Sequence, residues 1–321
     1  MKPFLLRLVP AAVLAVLVGG CGQRPDEGAG PVVVATVHPL ADIARQIAGD
    51  AAEVRTLLPP GVTPHGFSMT PSRLQTLRGA ELVISVGRGL DPWAERALER
   101  TSSDAEVIEL AETLEDGHAD HDEHAEHADH AEHEEADDHA GHDHHDHAGP
   151  NPHLWLDPVR MAAFARHLGE ALTERFPDHA GQIERNTAEL LASLDKLDAE
   201  YRDQLTDVRK EMVTFHNAFD PLAERYGLEV VAHLTPIELG HGGEVTPARL
   251  RQAIEAVREH DLPVIYAEPQ LPGSAAQALQ QETDVEILRL DPLGHPGVAG
   301  YETYQAMMRS NLAALVEGQT K

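Results

Sequence analysis

Short aliphatic and β-branched runs alternate with amphipathic stretches in two separate parts of this sequence, and this alternation limits the possible folds more than any other feature. In the first part the runs are PVVVATV (31–37), AEVRTLL (52–58), ELVISVG (81–87) and EVIELA (106–111). Helical stretches separate them: one from about Leu40 to Ala48, one opening at Pro71 in PSRLQTL, and one ahead of EVIELA. Proline suits a first helical turn, where the N–H it lacks would have no partner. In the second part EMVTFH (211–216), LEVVAHL (228–234), PVIYAE (263–268) and VEILRLD (285–291) are separated by PLAERYG, TPARLRQAIEAVREH and SAAQALQQE, with a closing helix from about Tyr301. Strand–helix alternation of this kind predicts parallel sheets with helices on both faces.

The middle of the chain has a different period. Met161, Phe164, Leu168, Ala171 and Leu172 lie at helical spacing, as do Ile183, Leu190, Leu194, Leu197, Tyr201 and Leu205, with FPDHAG as a break between the two sets. The expected class is α/β: two lobes, each a parallel-type sheet flanked by helices, joined by one long rigid helix. The expected bounds are 32–180 for the first lobe, 181–208 for the linking helix and 209–321 for the second lobe.

Residues 115–149 fit neither period. His118, His121, His124, His127, His130 and His133 recur every third residue, so on a helix of 3.6 residues per turn they would drift around its surface. Large apolar residues are absent, so nothing is available to bury against the entropy of ordering. The expectation is a disordered insertion within the first lobe. An acidic spacer would account for the Asp and Glu but not for the histidines, which continue with His139, His142, His144, His145 and His147. Such tracts are metal-binding compositions, and these side chains are expected to act as weak accessory ligands.

The chain opens MKPFLLRLVPAAVLAVLVGGCGQ. Lys2 and Arg7 precede an apolar stretch from Leu8 to Gly20, the layout of a secretory signal over residues 1–20. The stretch is short of the roughly 20 apolar residues that span a bilayer. VGGC resembles a lipobox, which makes Cys21 the expected lipidation site and residues 21–31 a lipidated tether. Cys21 is the only cysteine, which excludes an internal disulfide or a thiolate metal site. Net charge is −29, and residues 115–146 carry fourteen of the acidic groups and no Lys or Arg. Such a chain suits cations and excludes nucleic acid as a partner.

Three histidines outside the run occupy strand-end loops, where two-lobed α/β proteins place ligands. His65 follows the second strand in PPGVTPHGFSMT, His153 lies in NPHLWLDP after the insertion, and His216 ends EMVTFH. Asp291 ends VEILRLD in the same way. Three imidazoles and a carboxylate would make a four-ligand cation site suited to Zn²⁺ more than to Mn²⁺ or Mg²⁺. Ordinary imidazoles would lose metal to protons below about pH 6. His38 and His241, the latter beside Glu244 in a glycine-rich loop, are weaker candidates; His167, His179 and His260 read as surface histidines.

LLPPGVTPHGFSMTPS, NPHLWLDP, TFHNAFDPLAERYGL, YAEPQ and LRLDPLG occur in this order, and with the acidic histidine insertion they resemble the ZnuA-type zinc-binding proteins of bacterial ABC importers, within the cluster A-I metal receptors. The resemblance covers about residues 32–318. It implies two α/β lobes, a connecting helix, and one metal held in the cleft between lobes by the residues at His65, His153 and His216, with Asp291 or water as the fourth ligand. It further implies a periplasmic or cell-surface, monomeric, non-enzymatic receptor that delivers Zn²⁺ to the membrane permease of a zinc ABC importer. Membrane contact would be through the lipid anchor alone. A manganese or iron receptor of the same family and a periplasmic zinc buffer or chaperone are the alternatives. A zinc hydrolase would need an open coordination position and a compact ligand pair such as HExxH, which does not occur outside the histidine run.

Overall fold

The computed structural model describes residues 30–101, 103–116, 150–235, 245–271 and 273–321. The expected signal sequence, Cys21, the eleven histidines of the run, His241 and Glu244 lie outside the described residues.

The first lobe holds four parallel strands, β1 (Val32–Ala35), β2 (Glu53–Thr56), β3 (Ala80–Ser85) and β4 (Glu106–Glu109), in the order β2-β1-β3-β4. The second lobe repeats the arrangement with β5 (Glu211–Thr214), β6 (Glu229–His233), β7 (Val264–Ala267) and β8 (Glu286–Arg289), ordered β6-β5-β7-β8. In both sheets the strand that comes first in sequence is central, and its neighbours are reached in opposite directions. The loops leaving its carboxyl end and those beside it therefore open a crevice, the place where such sheets bind ligands. All four residues of β1 are buried, as expected for a strand covered on both faces.

Helices α1 (His38–Ala48), α2 (Pro71–Leu74), α3 (Pro92–Thr101) and α4 (Leu110–Asp116) belong to the first lobe. The expected strand EVIELA stops at Glu109, and the chain turns at once into α4. Leu110, Ala111 and Leu114 are buried at i, i+1 and i+4, so a helix seats all three in the core where a strand would expose one of them. The expected helix over PSRLQTL is a single turn followed by a 3-10 turn at Gln75–Leu77.

Two antiparallel helices form the back of the molecule, α5 (Pro158–Arg175) and the 25-residue α6 (Ala180–Gln204). They approach closely because Gly169 has no side chain; a Cβ there would sit 2.5 Å from Thr187 Oγ1. The second lobe adds α7 (Asp220–Tyr226), α8 (Pro247–Glu259), α9 (Ser274–Thr283) and α10 (Tyr304–Gln319).

α6 fastens both lobes. Asn186 Nδ2 donates to the carbonyl of Ile47 in the first lobe (3.0 Å), and Tyr201 Oη donates to that of Met308 in the second (2.7 Å). Ile183, Leu190, Leu194, Leu197 and Tyr201 bury one stripe of α6 in a core that runs without a break from Val33 and Ile84 to Tyr266 and Leu315. A second cluster, including Val213, Ile265 and Leu279, lies on the far side of the second sheet. Trp155, fully buried, donates its indole N–H to the Pro292 carbonyl (2.7 Å) and accepts at its own carbonyl from Tyr304 Oη (2.7 Å). The cleft between the lobes is thereby pinned directly beneath NPHLWLDP.

Candidate metal centre

His65 reaches the cleft on the loop after β2. Thr63 Oγ1 accepts from the His65 N–H (3.3 Å), and Trp93 Nε1 donates to the Pro64 carbonyl (3.2 Å), which fixes the loop against α3. His153 stands just before the 3-10 turn Leu154–Leu156, and Asp157, at its far end, caps α5 by accepting from Val159 N. Asp157 also pairs with Arg225 of the second lobe at 2.7 Å. His216 leaves the carboxyl end of β5 in extended conformation, ahead of the turn Asn217–Phe219.

The three rings converge. His65 Nε2 and His153 Nε2 are 3.0 Å apart, and His216 Nε2 lies 3.3 Å from His153 Nε2. Metal–imidazole bonds of about 2.0–2.1 Å at tetrahedral angles separate the nitrogens by about 3.3 Å, so the spacing suits a small divalent cation. His65, His153 and His216 form the group of potential metal ligands found among the described residues.

The other ring nitrogens decide what these Nε2 atoms can do. His216 Nδ1 makes a very short contact to Glu268 Oε1, and a carboxylate oxygen can only accept. His153 Nδ1 contacts Asn151 Oδ1 at 2.9 Å. With the protons on Nδ1, both Nε2 atoms carry bare lone pairs pointing at one another. Such a pair is unfavourable unless a cation lies between them. Carboxylate or carbonyl acceptors behind ligating histidines are the usual means of fixing the ligand tautomer.

Burial acts in the same sense. His153 is 1% exposed and His216 7%. Desolvation, with His216 nearby, lowers the pKa of His65 to about 4, and the same causes together with His65 hold His153 well below the ordinary imidazole value. The proton competition expected near pH 6 therefore moves to more acid conditions, because imidazolium loses its hydration in this cleft.

Asp291, expected beside the histidines, is not in their group. Its carboxylate is fully buried and already engaged: Oδ1 accepts from Gln270 Nε2 (2.7 Å) and from the backbone N–H groups of Leu293 and Gly294, while Oδ2 accepts from Arg289 (2.5 Å). The turn it caps supports Pro292 and Leu293 in the cavity wall. His38 also stays outside; its Nε2 donates to the Glu302 carbonyl (3.0 Å) and ties the start of α1 to the second lobe. The sequence reading passed over Glu268 and Asn151. Each stood within a motif already singled out, YAEPQ and NPHLWLDP.

Comparison with known proteins identifies the family. The chain matches the family described as zinc-uptake complex component A, periplasmic, over residues 33–318. It is 33% identical over 321 residues to the high-affinity zinc uptake system protein ZnuA of Paracoccus denitrificans, covering 96% of this chain and 98% of the relative. It is 29% identical over 316 residues to the manganese-binding lipoprotein MntA of Halalkalibacterium halodurans, covering 95% of each. The fold is shared with the periplasmic zinc-binding protein TroA from Treponema pallidum, at a TM-score of 0.75 and 21% identity, over 91% of this chain and 100% of that one. On its length of match and its identity to a full-length relative, the chain belongs to the ZnuA family, the metal-binding receptors of ABC importers.

Proposed function

We propose that the chain is a zinc receptor that captures Zn²⁺ through His65, His153 and His216 and passes it to the permease of a zinc ABC importer. The convergence of three Nε2 atoms, two of them backed by acceptors on Nδ1, carries this reading. Neutral imidazole suits Zn²⁺, whereas Mn²⁺ prefers oxygen-rich sites. The fourth position falls to water or to Asp291, and Asp291 could serve only by giving up one of the donors it now holds. Capture needs no chemistry on the ion, so the reading is of a binding protein and not of an enzyme. Export, a lipid anchor at Cys21 and action as a monomer complete the proposal; the lipoprotein name of the Halalkalibacterium relative supports the anchor.

Manganese is the second reading, favoured by that same relative's name and by the two carboxylates of Glu268 and Asp291 near the cleft. One experiment separates the two. Competition dialysis of the mature protein against equal Zn²⁺ and Mn²⁺ is expected to leave Zn²⁺ ahead by several orders of magnitude, following ligand softness and the Irving–Williams order. Equal retention of the two metals would reject zinc.

A further inference from the structure

Asn151 touches both sides of the cleft with one amide. Its Nδ2 donates to the carbonyl of Asn217 in the second lobe at 2.8 Å. Its Oδ1 accepts from the backbone N–H of His153 at 2.9 Å and from the His153 ring at Nδ1, also at 2.9 Å. The two backbone contacts leave no choice in how the amide is turned: a carbonyl can only accept and an N–H can only donate. Oδ1 must therefore face His153, and its only role towards the ring is to accept. The cross-lobe contact and the His153 N–H together thus set the tautomer that leaves His153 Nε2 bare.

The far partner matters as much. Asn217 directly follows His216 and opens the turn that holds it. One amide group thereby joins the backbone beside one candidate ligand to the ring of another in the opposite lobe. The backbone of Asn151 is itself held, since its carbonyl accepts from Arg88 Nη1 at 3.1 Å. Pro152, between Asn151 and His153, narrows the remaining freedom.

We infer that Asn151 is a positioning residue that couples lobe closure to metal retention. While the lobes are together, the Asn217 carbonyl orients the amide and the amide orients His153. When the second lobe moves away, the donor loses its partner, the amide is held through Oδ1 alone, and the acceptor that aims His153 Nε2 is less firmly fixed. Release then needs no protonation of a ligand. This inference rests on the three histidines being the metal ligands.

The test compares Asn151→Ala with Asn151→Asp in the full mature protein, using Zn²⁺ itself. Release into excess chelator is followed by stopped flow, and association by displacement of a chromophoric indicator. Asn151→Ala removes both contacts and is expected to release Zn²⁺ about 10- to 100-fold faster. Asn151→Asp keeps the acceptor towards His153 and sets an oxygen against the Asn217 carbonyl. It is expected to release about tenfold faster, with association changed by less than about threefold. A defect in folding alone would reduce the amplitude of binding and leave the rate constants of the folded fraction unchanged. Wild-type release in Asn151→Ala overturns any positioning role, and wild-type or slower release in Asn151→Asp overturns the coupling to closure. Absence of a tight equivalent in the unsubstituted protein would instead overturn the receptor reading on which the inference rests.

Discussion

His216 and Glu268 meet because their strands are neighbours in register. Thr214 of β5 lies opposite Tyr266 of β7, so two residues on in each chain segment, just past the strand ends, His216 stands beside Glu268. The pair is buried, at 7% and 6% exposure, and its contact is the shortest polar one in the cleft. Removing the charge of the acceptor while keeping its shape should therefore weaken metal binding without loss of fold. Glu268→Gln is expected to lower Zn²⁺ affinity about 10- to 100-fold, the usual cost of losing a partner behind a ligand. Chelator competition measures it. Unchanged affinity would mean that the carboxylate serves the second lobe's packing alone.

The three imidazoles should be unequal to Asp291 in what they contribute. Alanine at His65, His153 or His216 removes a proposed ligand and is expected to abolish the tight equivalent, since two imidazoles and water hold Zn²⁺ poorly. Asp291→Asn keeps the turn's shape and can still accept at its carbonyl from Leu293 and Gly294. Its affinity is expected to fall less than that of any histidine variant. Isothermal titration of variants lacking residues 118–147 gives the ranking, and wild-type affinity in His216→Ala would remove that residue from the site.

Much of this was legible beforehand because periodicity records burial. The alternation of runs such as PVVVATV with amphipathic stretches gave both sheets, and the spacing from Ile183 to Tyr201 gave the long helix. Those patterns exist because a parallel strand is buried on both faces and a packed helix on one. Strand order has no such trace. Nothing in YAEPQ states that β7 lies beside β5, so Glu268 could not be placed next to His216. Asp291 is a related case: a strand-end carboxylate reads the same whether it faces a cation or caps a turn, and the backbone donors it holds here are invisible in side-chain pattern. The α4 helix was missed because Leu110, Ala111 and Leu114 continue the apolar strand before them.

The lowered histidine pKa values make the metal-free protein acid-sensitive. For His65 the unfolded chain takes up its proton near pH 6.5 and the folded one only near 4. Between those values the unfolded state binds more protons, so stability rises with pH. The contribution is whole above pH 6.5 and is lost as pH falls towards about 4, on the order of 3 kcal/mol for this one group. His153, shifted in the same direction, adds to the slope. Guanidinium unfolding of the metal-free protein from pH 7.5 to 4 should show this loss, and His65→Leu should flatten it. An equally steep curve in that variant would assign the acid sensitivity elsewhere.

The histidine run enters through its anchorage. Arg88, in the left-handed region at φ 48°, donates to Glu115 Oε1 (2.8 Å) just before the run and to the Asn151 carbonyl (3.1 Å) just after it. Both ends are thus held together two residues from His153. Ions released from His118 to His147 would begin their search at high effective concentration beside the cleft. The run has no large apolar residue to help hold its histidines, whereas His65, His153 and His216 are already held in place by their loops, so the run should bind more weakly. Its neighbouring carboxylates favour imidazolium as well as cations, which makes capture by the run the more pH-sensitive of the two. Deletion of residues 118–147 is therefore expected to remove several weak Zn²⁺ equivalents and leave one tight equivalent unchanged, with uptake impaired chiefly when zinc is scarce. Titration of the deleted protein decides between collector and site: loss of the tight equivalent from a chain that still folds would transfer the binding site from the cleft to the run.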